Sequence, residues 1–151
     1  MSQMEDRAGK DASPEAQAEA QKILKEMARQ ALDESPVYME HIYQTFHDCT
    51  EQLHAGNDRE GLDAFARGAS DLGEMLQLLE HIDAVAAPSQ PVATAAFRLG
   101  IISCVKGLEE SMLQQDLVAL SDHIEGKLLN LLPMWDEVAQ EMDAGLTAHG
   151  C

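Results

Sequence analysis

The amino-acid sequence predicts an all-α fold: an up-and-down bundle of four to five helices, the last one long and bent at Pro133. Three observations lead there. Leu, Ala and Met dominate the apolar residues while aromatics make up only 4% of the chain, which favours helices over sheets rich in β-branched and aromatic side chains. Apolar residues recur at alternating three- and four-residue steps through several long segments, the spacing of a buried helix seam. Gly and Pro clusters punctuate the chain between those segments, and no repeat or low-complexity tract interrupts them. With 151 residues and 45% hydrophobic content, the chain can bury one core in one domain. That domain is expected over 14–151, after a frayed polar segment at 1–13.

The first helix should begin at "ASPEAQAEA", with Ser13 as N-cap, Pro14 at the first helical position and Glu15 in the first turn. Its stripe of Ala16, Ala20, Ile23, Met27, Ala31 and Glu34 is thin, so this helix is expected to lie outside a core built by the others. "DESPVYMEH" reads as a second start, with Ser35 as cap and Pro36 behind it. Met39, Ile42, Phe46, Cys49 and Leu53 then form a seam that Gly56 stops, with Asn57 or Asp58 capping the next helix.

That next helix carries Leu62, Phe65, Ala69, Leu72, Leu76 and Leu79. Gly61 and Gly68 lie on the same face. A glycine inside a helix costs about 1 kcal/mol against alanine, so two on a packed face predict a close approach by another helix. "AAPSQP" makes the loop before a helix near 92–113, marked by Phe97, Ile101, Cys104, Leu108 and Met112. Asp116 is the candidate cap of the last helix, although a continuous helix through 113–118 is an alternative.

In that last helix Leu117, Leu120, Ile124, Leu128, Leu131, Trp135, Val138, Met142 and Leu146 fall on one narrow arc at about 100° per residue. Asp122 and Pro133 point away from it, and His123 and Glu125 flank it. Pro133 therefore bends a helix whose seam keeps its phase, with water taking up the freed carbonyl. Leu129 and Leu132 fall off the arc, near Met134. They are expected either to be covered by the first helix or to form an apolar patch that meets another copy or another protein.

The net charge is −17 with a pI near 4.4. After Arg67 the basic residues are Arg98, Lys106 and Lys127 against thirteen acids. Nucleic acid and anionic membrane surfaces are excluded as partners, because both need Lys and Arg. No stretch approaches a membrane span or a signal-peptide core, so a cytoplasmic location is expected. Cys49, Cys104 and Cys151 are odd in number and widely spaced, which fits neither a disulfide framework nor a zinc site.

The candidate metal pattern is "HDCTEQLH", with His47, Glu51 and His54 at i, i+4 and i+7. Di-iron bundles use such a Glu-x-x-His pair twice, with further glutamates from other helices. It occurs once here, and the residues flank the seam, so a hydrated polar face is the simpler reading. Asp122 and Glu125, three apart on one helix, are a candidate carboxylate pair with no identified facing partner, and a solvated face is the simpler reading. No P-loop, dinucleotide fingerprint or nucleophile elbow is present. Neither a catalytic residue nor a cofactor is assigned.

The segment "LHAGNDREGLDAFARGASDLGEMLQLLEHI" resembles the helical hairpins of bacterial flagellar and type III export chaperones, which are small, acidic, cytoplasmic and all-helical. "DLVALSDHIEGKLLNLLPMW" resembles the C-terminal helices of uncharacterised bacterial bundle proteins. "ISCVKGLEESM" resembles histidine phosphotransfer bundles around Lys106-Gly107, but Ser103 stands in the histidine's place and that chemistry is lost. The expected function is a non-enzymatic, protein-binding adaptor or chaperone-like module that self-associates, with Leu129, Leu132 and Met134 at its binding face. The alternative is a metal- or small-ligand-binding bundle using His47, Glu51 and His54.

Overall fold

In the computed structural model, which describes residues 13–148, the chain is all-α with no strand among those residues. Helix α1 (Pro14–His54) opens as the sequence predicts, with Ser13 Oγ accepting from the Ala16 backbone N–H at 3.1 Å. It then runs without interruption through Ser35-Pro36, where a second start was expected. Proline lacks the N–H that would bond the Leu32 carbonyl. The Ser35 hydroxyl donates to that carbonyl at 2.6 Å instead, so the helix continues. Continuity carries the Met39–Ile42–Phe46–Cys49 phase backwards to Ala28, Leu32 and Ser35, which are buried. The expected Ile23–Met27 stripe is thereby turned outward.

At the far end Gly56 adopts φ +84°. The Asn57 and Gly56 N–H groups bond back to the Gln52 and Leu53 carbonyls, closing the helix in a Schellman turn. Helix α2 (Asp58–Ala86) returns antiparallel along α1. The close approach expected at its glycines is present. A Cβ on Gly61 would lie 2.6 Å from Leu53 Cδ2, and one on Gly68 would lie 2.9 Å from Phe46 Cζ.

Helix α3 (Val92–Leu113) follows the predicted loop, and its buried face is Thr94, Phe97, Ile101, Cys104, Leu108 and Ser111. No side chain of its own caps its N-terminus. Glu141, from the last helix, accepts from the backbone N–H groups of Ala93 at 2.8 Å and Thr94 at 3.0 Å. Burial alone would raise the Glu141 carboxyl. The nearby Thr94 hydroxyl and the two N–H groups outweigh that and hold it below the ordinary carboxylate range. The hydroxyl makes no full hydrogen bond, so it acts there as a dipole and the N–H groups provide the firm contacts.

A depressed folded-state value stabilises the fold above the unfolded carboxyl's pKa and ceases to do so as pH falls through the folded one. Glu141→Gln is expected to cost about 1 kcal/mol at pH 7. In urea titrations the gap from the wild type should close as pH drops below about 4. A gap constant with pH would show that the charge is not what caps α3.

The last helix, α4, spans 117–148 and opens with Asp116 Oδ1 accepting from Ala119 N at 3.0 Å. It contains a π-turn at Ile124–Leu128 and a 3-10 turn at Leu132–Met134 around Pro133. The bend expected at Pro133 is thus spread over two irregular turns. The π-turn underwinds the helix and the 3-10 turn overwinds it, so the seam regains its phase at Trp135. Val138, Met142 and Leu146 follow it into the core. Four helices result among the described residues, with α4 touching the other three.

Between the two irregular turns the burial is wider than one arc. Leu128, Leu129 and Leu132 are all buried, and Leu131 fills the space above Gly100. The outward placement expected for Leu129 and Leu132 is therefore corrected. They pack where α4 crosses α1, and Met134 is half-buried against the same core. Both leucines are covered, and beside Leu132 stand Pro36, Met39 and Tyr43, from the segment expected to form a second helix and not from 14–34.

Trp135 locks this crossing. Its ring is buried edge-on to Phe97 at 5.7 Å between centroids. Its indole N–H donates to Ser35 Oγ at 2.8 Å. The chain Trp135 N–H to Ser35 O–H to Leu32 carbonyl leaves no buried polar atom open at the site where Pro36 removed a donor. Pro36 and Pro133 line opposite sides of a cleft of about 230 Å³ beside it, with Met39 and Tyr43.

Candidate functional site

An apolar opening lies between the N-terminal and middle parts of α1 and the C-terminal half of α2. The continuous phase of α1 leaves Ile23, Leu24, Met27 and Val37 at 50%, 46%, 61% and 77% exposure. Across from them α2 offers Leu78, Ile82 and Val85, and with Leu24, Met27 and Ala31 these line a hollow of about 420 Å³. Ala31 and Leu78 continue into a second hollow of about 790 Å³, bordered by Val37, Tyr38, His41, Glu34 and Glu74. The result is one apolar groove with acidic residues on its rim.

Tyr38 fastens the inner end of the groove. Its hydroxyl lies 3.2 Å from the Asp71 carbonyl and 3.1 Å from Glu74 Oε2. Burial first, then the hydrogen bond to Glu74 and the charges of Asp71 and Glu74, push its pKa up to about 12. It therefore stays protonated and joins α1 to α2 as a donor.

His47, Glu51 and His54 are not brought together as one site. His47 Nδ1 lies 3.7 Å from Glu51 Oε1, and with Asp48 they place three ligand-type atoms within 4.8 Å of one another on one helix face. His54 instead meets α4, with its Nε2 at 2.7 Å from Glu125 Oε1 and 3.2 Å from Ser121 Oγ. Of the two candidate carboxylates on α4, Glu125 is the one engaged by His54, and Asp122 is exposed.

This Ser–His–Glu cluster is not wired for nucleophilic catalysis. A triad sets the serine and the acid on opposite ring nitrogens, so that one accepts the serine proton while the other donates to the acid. Here both groups share Nε2. A proton on Nε2 satisfies the Glu125 carboxylate and leaves no lone pair to deprotonate Ser121. With His54 and Glu125 both more than 40% exposed, the contact contributes less than about 1 kcal/mol.

Cys49 and Cys104 are buried in the seams as expected, and burial pushes the Cys49 thiol up to about 11 and raises that of Cys104. Neither is a ready thiolate at neutral pH. Cys151 lies outside the described residues, as does the frayed segment expected at 1–13, apart from Ser13. No helix among the described residues is long and apolar enough to cross a membrane.

The groove was missed in the sequence because Ile23 and Met27 were assigned to a packed stripe. The signal that could have found it is the seam beginning at Met39. Extended backwards through Ser35 and Leu32, it excludes both residues. No protein family, curated protein or solved structure matches the chain.

Proposed function

We propose that this protein is a non-enzymatic, cytoplasmic helical-bundle adaptor that shelters an amphipathic segment of another protein, in the manner of a chaperone, and that it self-associates. The observation that carries the reading is the continuous apolar groove between α1 and α2, edged by Glu34 and Glu74. A helix with an apolar face would lay that face against Leu24, Met27, Leu78 and Val85, the helix-in-groove mode of recognition. The net charge of −17 steers basic segments toward such a surface. The resemblance of residues 53–82 to export-chaperone hairpins is in keeping with this reading.

The test is a photo-crosslinking residue at Met27 in cells, followed by mapping of the captured segment and its affinity as a synthetic peptide. The expected capture is a basic segment with an apolar helical face. Leu24→Glu with Met27→Glu should weaken peptide binding at least about tenfold, or 1.4 kcal/mol, without loss of helicity, since both side chains are largely exposed. Binding unaffected by that pair would overturn the groove as the site.

A further inference from the structure

Helix α3 carries two seams, and the fold uses one. The inner seam is Thr94, Phe97, Ile101, Cys104, Leu108 and Ser111, all buried. The outer one is Val92, Ala95, Leu99, Ile102, Lys106, Glu109 and Leu113, again at alternating steps of three and four. That is the a/d spacing of a coiled coil, apolar through two heptads and charged at Lys106 and Glu109 in the third. Val92, Leu99, Ile102 and Leu113 are 73%, 69%, 46% and 86% exposed. A helix apolar on both sides belongs between two neighbours, but α3 packs chiefly on α4 and meets α2 sparsely, through Arg98 and Asp83 at 3.6 Å and across a hollow between Phe65 and Leu113.

Charge identifies the missing neighbour. The chain holds 27 acids in 151 residues, yet none occurs between Asp83 and Glu109. Two copies each carrying −17 repel wherever acidic faces meet. The first two-thirds of α3 add no acid of their own, and Lys106 adds a positive charge. The two carboxylates beside them are engaged, Glu141 by the Ala93 and Thr94 N–H groups and Asp83 by Arg98 at 3.6 Å. A basic partner would find no acid on this part of the stripe itself to pair with. A second copy would find an apolar stripe free of like charge.

We infer that the outer seam of α3 is the surface through which two copies of this chain pair, antiparallel about a twofold axis between Leu99 and Ile102. The inference rests on the self-association proposed above and names its surface. A parallel pair would set Lys106 against Lys106 and Glu109 against Glu109. The antiparallel pair removes both clashes. Leu99 meets the partner's Ile102, and the Lys106 stem lies over the small Ala95 of the partner subunit. Glu109 falls beside the first turn of the partner's α3, where Glu141 already holds the N–H groups of residues 93 and 94, so this end adds no attraction. A 22-residue helix is roughly 33 Å long and 10–12 Å across. Pairing two of them buries on the order of the 1,000 Å² that a specific interface needs.

The test is sedimentation equilibrium of the full chain, wild type against Leu99→Glu with Ile102→Glu, at low and high salt. The wild type is expected to be a dimer that tightens as salt screens the two acidic bodies. The variant is expected to be a monomer, weakened at least about a hundredfold, with the wild-type helical spectrum and the urea midpoint that the wild type shows when diluted to monomer, because it touches no core residue. In a Cys151→Ser background, Ala95→Cys mixed with Lys106→Cys should give a disulfide-linked pair that neither gives alone. A dimer that survives the double substitution overturns this surface and leaves self-association standing. A wild type that is monomeric at every concentration overturns both. Cross-linking of Lys106→Cys to itself overturns the antiparallel arrangement.

Discussion

A Leu129→Asp, Leu132→Asp double variant is expected to lose the folded state outright, with collapse of the helical signal and no cooperative thermal transition. Leu129 and Leu132 are 8% and 2% exposed where α4 crosses α1. Trimming either one to alanine should cost about 2–5 kcal/mol. Replacing both with carboxylates adds the penalty of two buried charges that have no partner, several kcal/mol each. The sum exceeds the roughly 5–15 kcal/mol that a domain of this kind has to lose. Circular dichroism and a thermal melt decide the matter. Leu132→Ala alone should remain folded and lie within the single-site range. A double variant that stays folded and only changes its association would return these leucines to the surface.

Trp135→Ala should be the most damaging single truncation, at about 3–5 kcal/mol in urea unfolding. Trp135 is 1% exposed, stands edge-on to Phe97 and bonds Ser35 at 2.8 Å. The hydrogen-bond chain behind it makes a sharper test. Ser35→Ala leaves the indole N–H and the Leu32 carbonyl both buried without a partner, at about 1–3 kcal/mol for each. Trp135→Phe removes only the donor and leaves Ser35 still bonded to Leu32. Ser35→Ala should therefore cost more than the hydrogen bond lost in Trp135→Phe, and the double variant should fall short of the sum. As the chain's one tryptophan, Trp135 should also show blue-shifted emission that moves red on unfolding. Equal and additive effects would mean that the serine does not bridge the proline gap.

Much of the architecture was legible because it depends on local rules. Ser13, Gly56 and Asp116 close helix ends through their own backbone or side-chain chemistry, and nearest neighbours in the chain decide that. Gly61 and Gly68 announced a close helix contact because no local benefit explains a glycine there. The break expected at Ser35-Pro36 failed for a reason no local pattern contains. Whether a serine caps a new helix or repairs an old one depends on what reaches it, and here Trp135 arrives from 100 residues away. The candidate site inherited that error, since the phase of α1 above Pro36 decides which of its apolar residues are left open.

The sequence by itself determined the all-α class, the turns after residues 54, 86 and 113, the seam of α3 up to Leu108 and those of the two ends of α4, and an acidic chain relieved between Asp83 and Glu109. The buried face of α2, by contrast, runs through Ala64, Gly68, Leu72, Met75 and Leu79 and leaves the expected Ala69 exposed. Periodicity, capping and charge are properties of short windows, so they survive without knowledge of the fold. Only the tertiary structure decided that α1 is one helix, that Leu129 and Leu132 are covered, and that His54 turns to Glu125 and not to His47 and Glu51. Each of those outcomes depends on which helix lies opposite. That is a property of packing three-dimensional surfaces together, and two segments of equal periodicity leave it open until a third is placed between them.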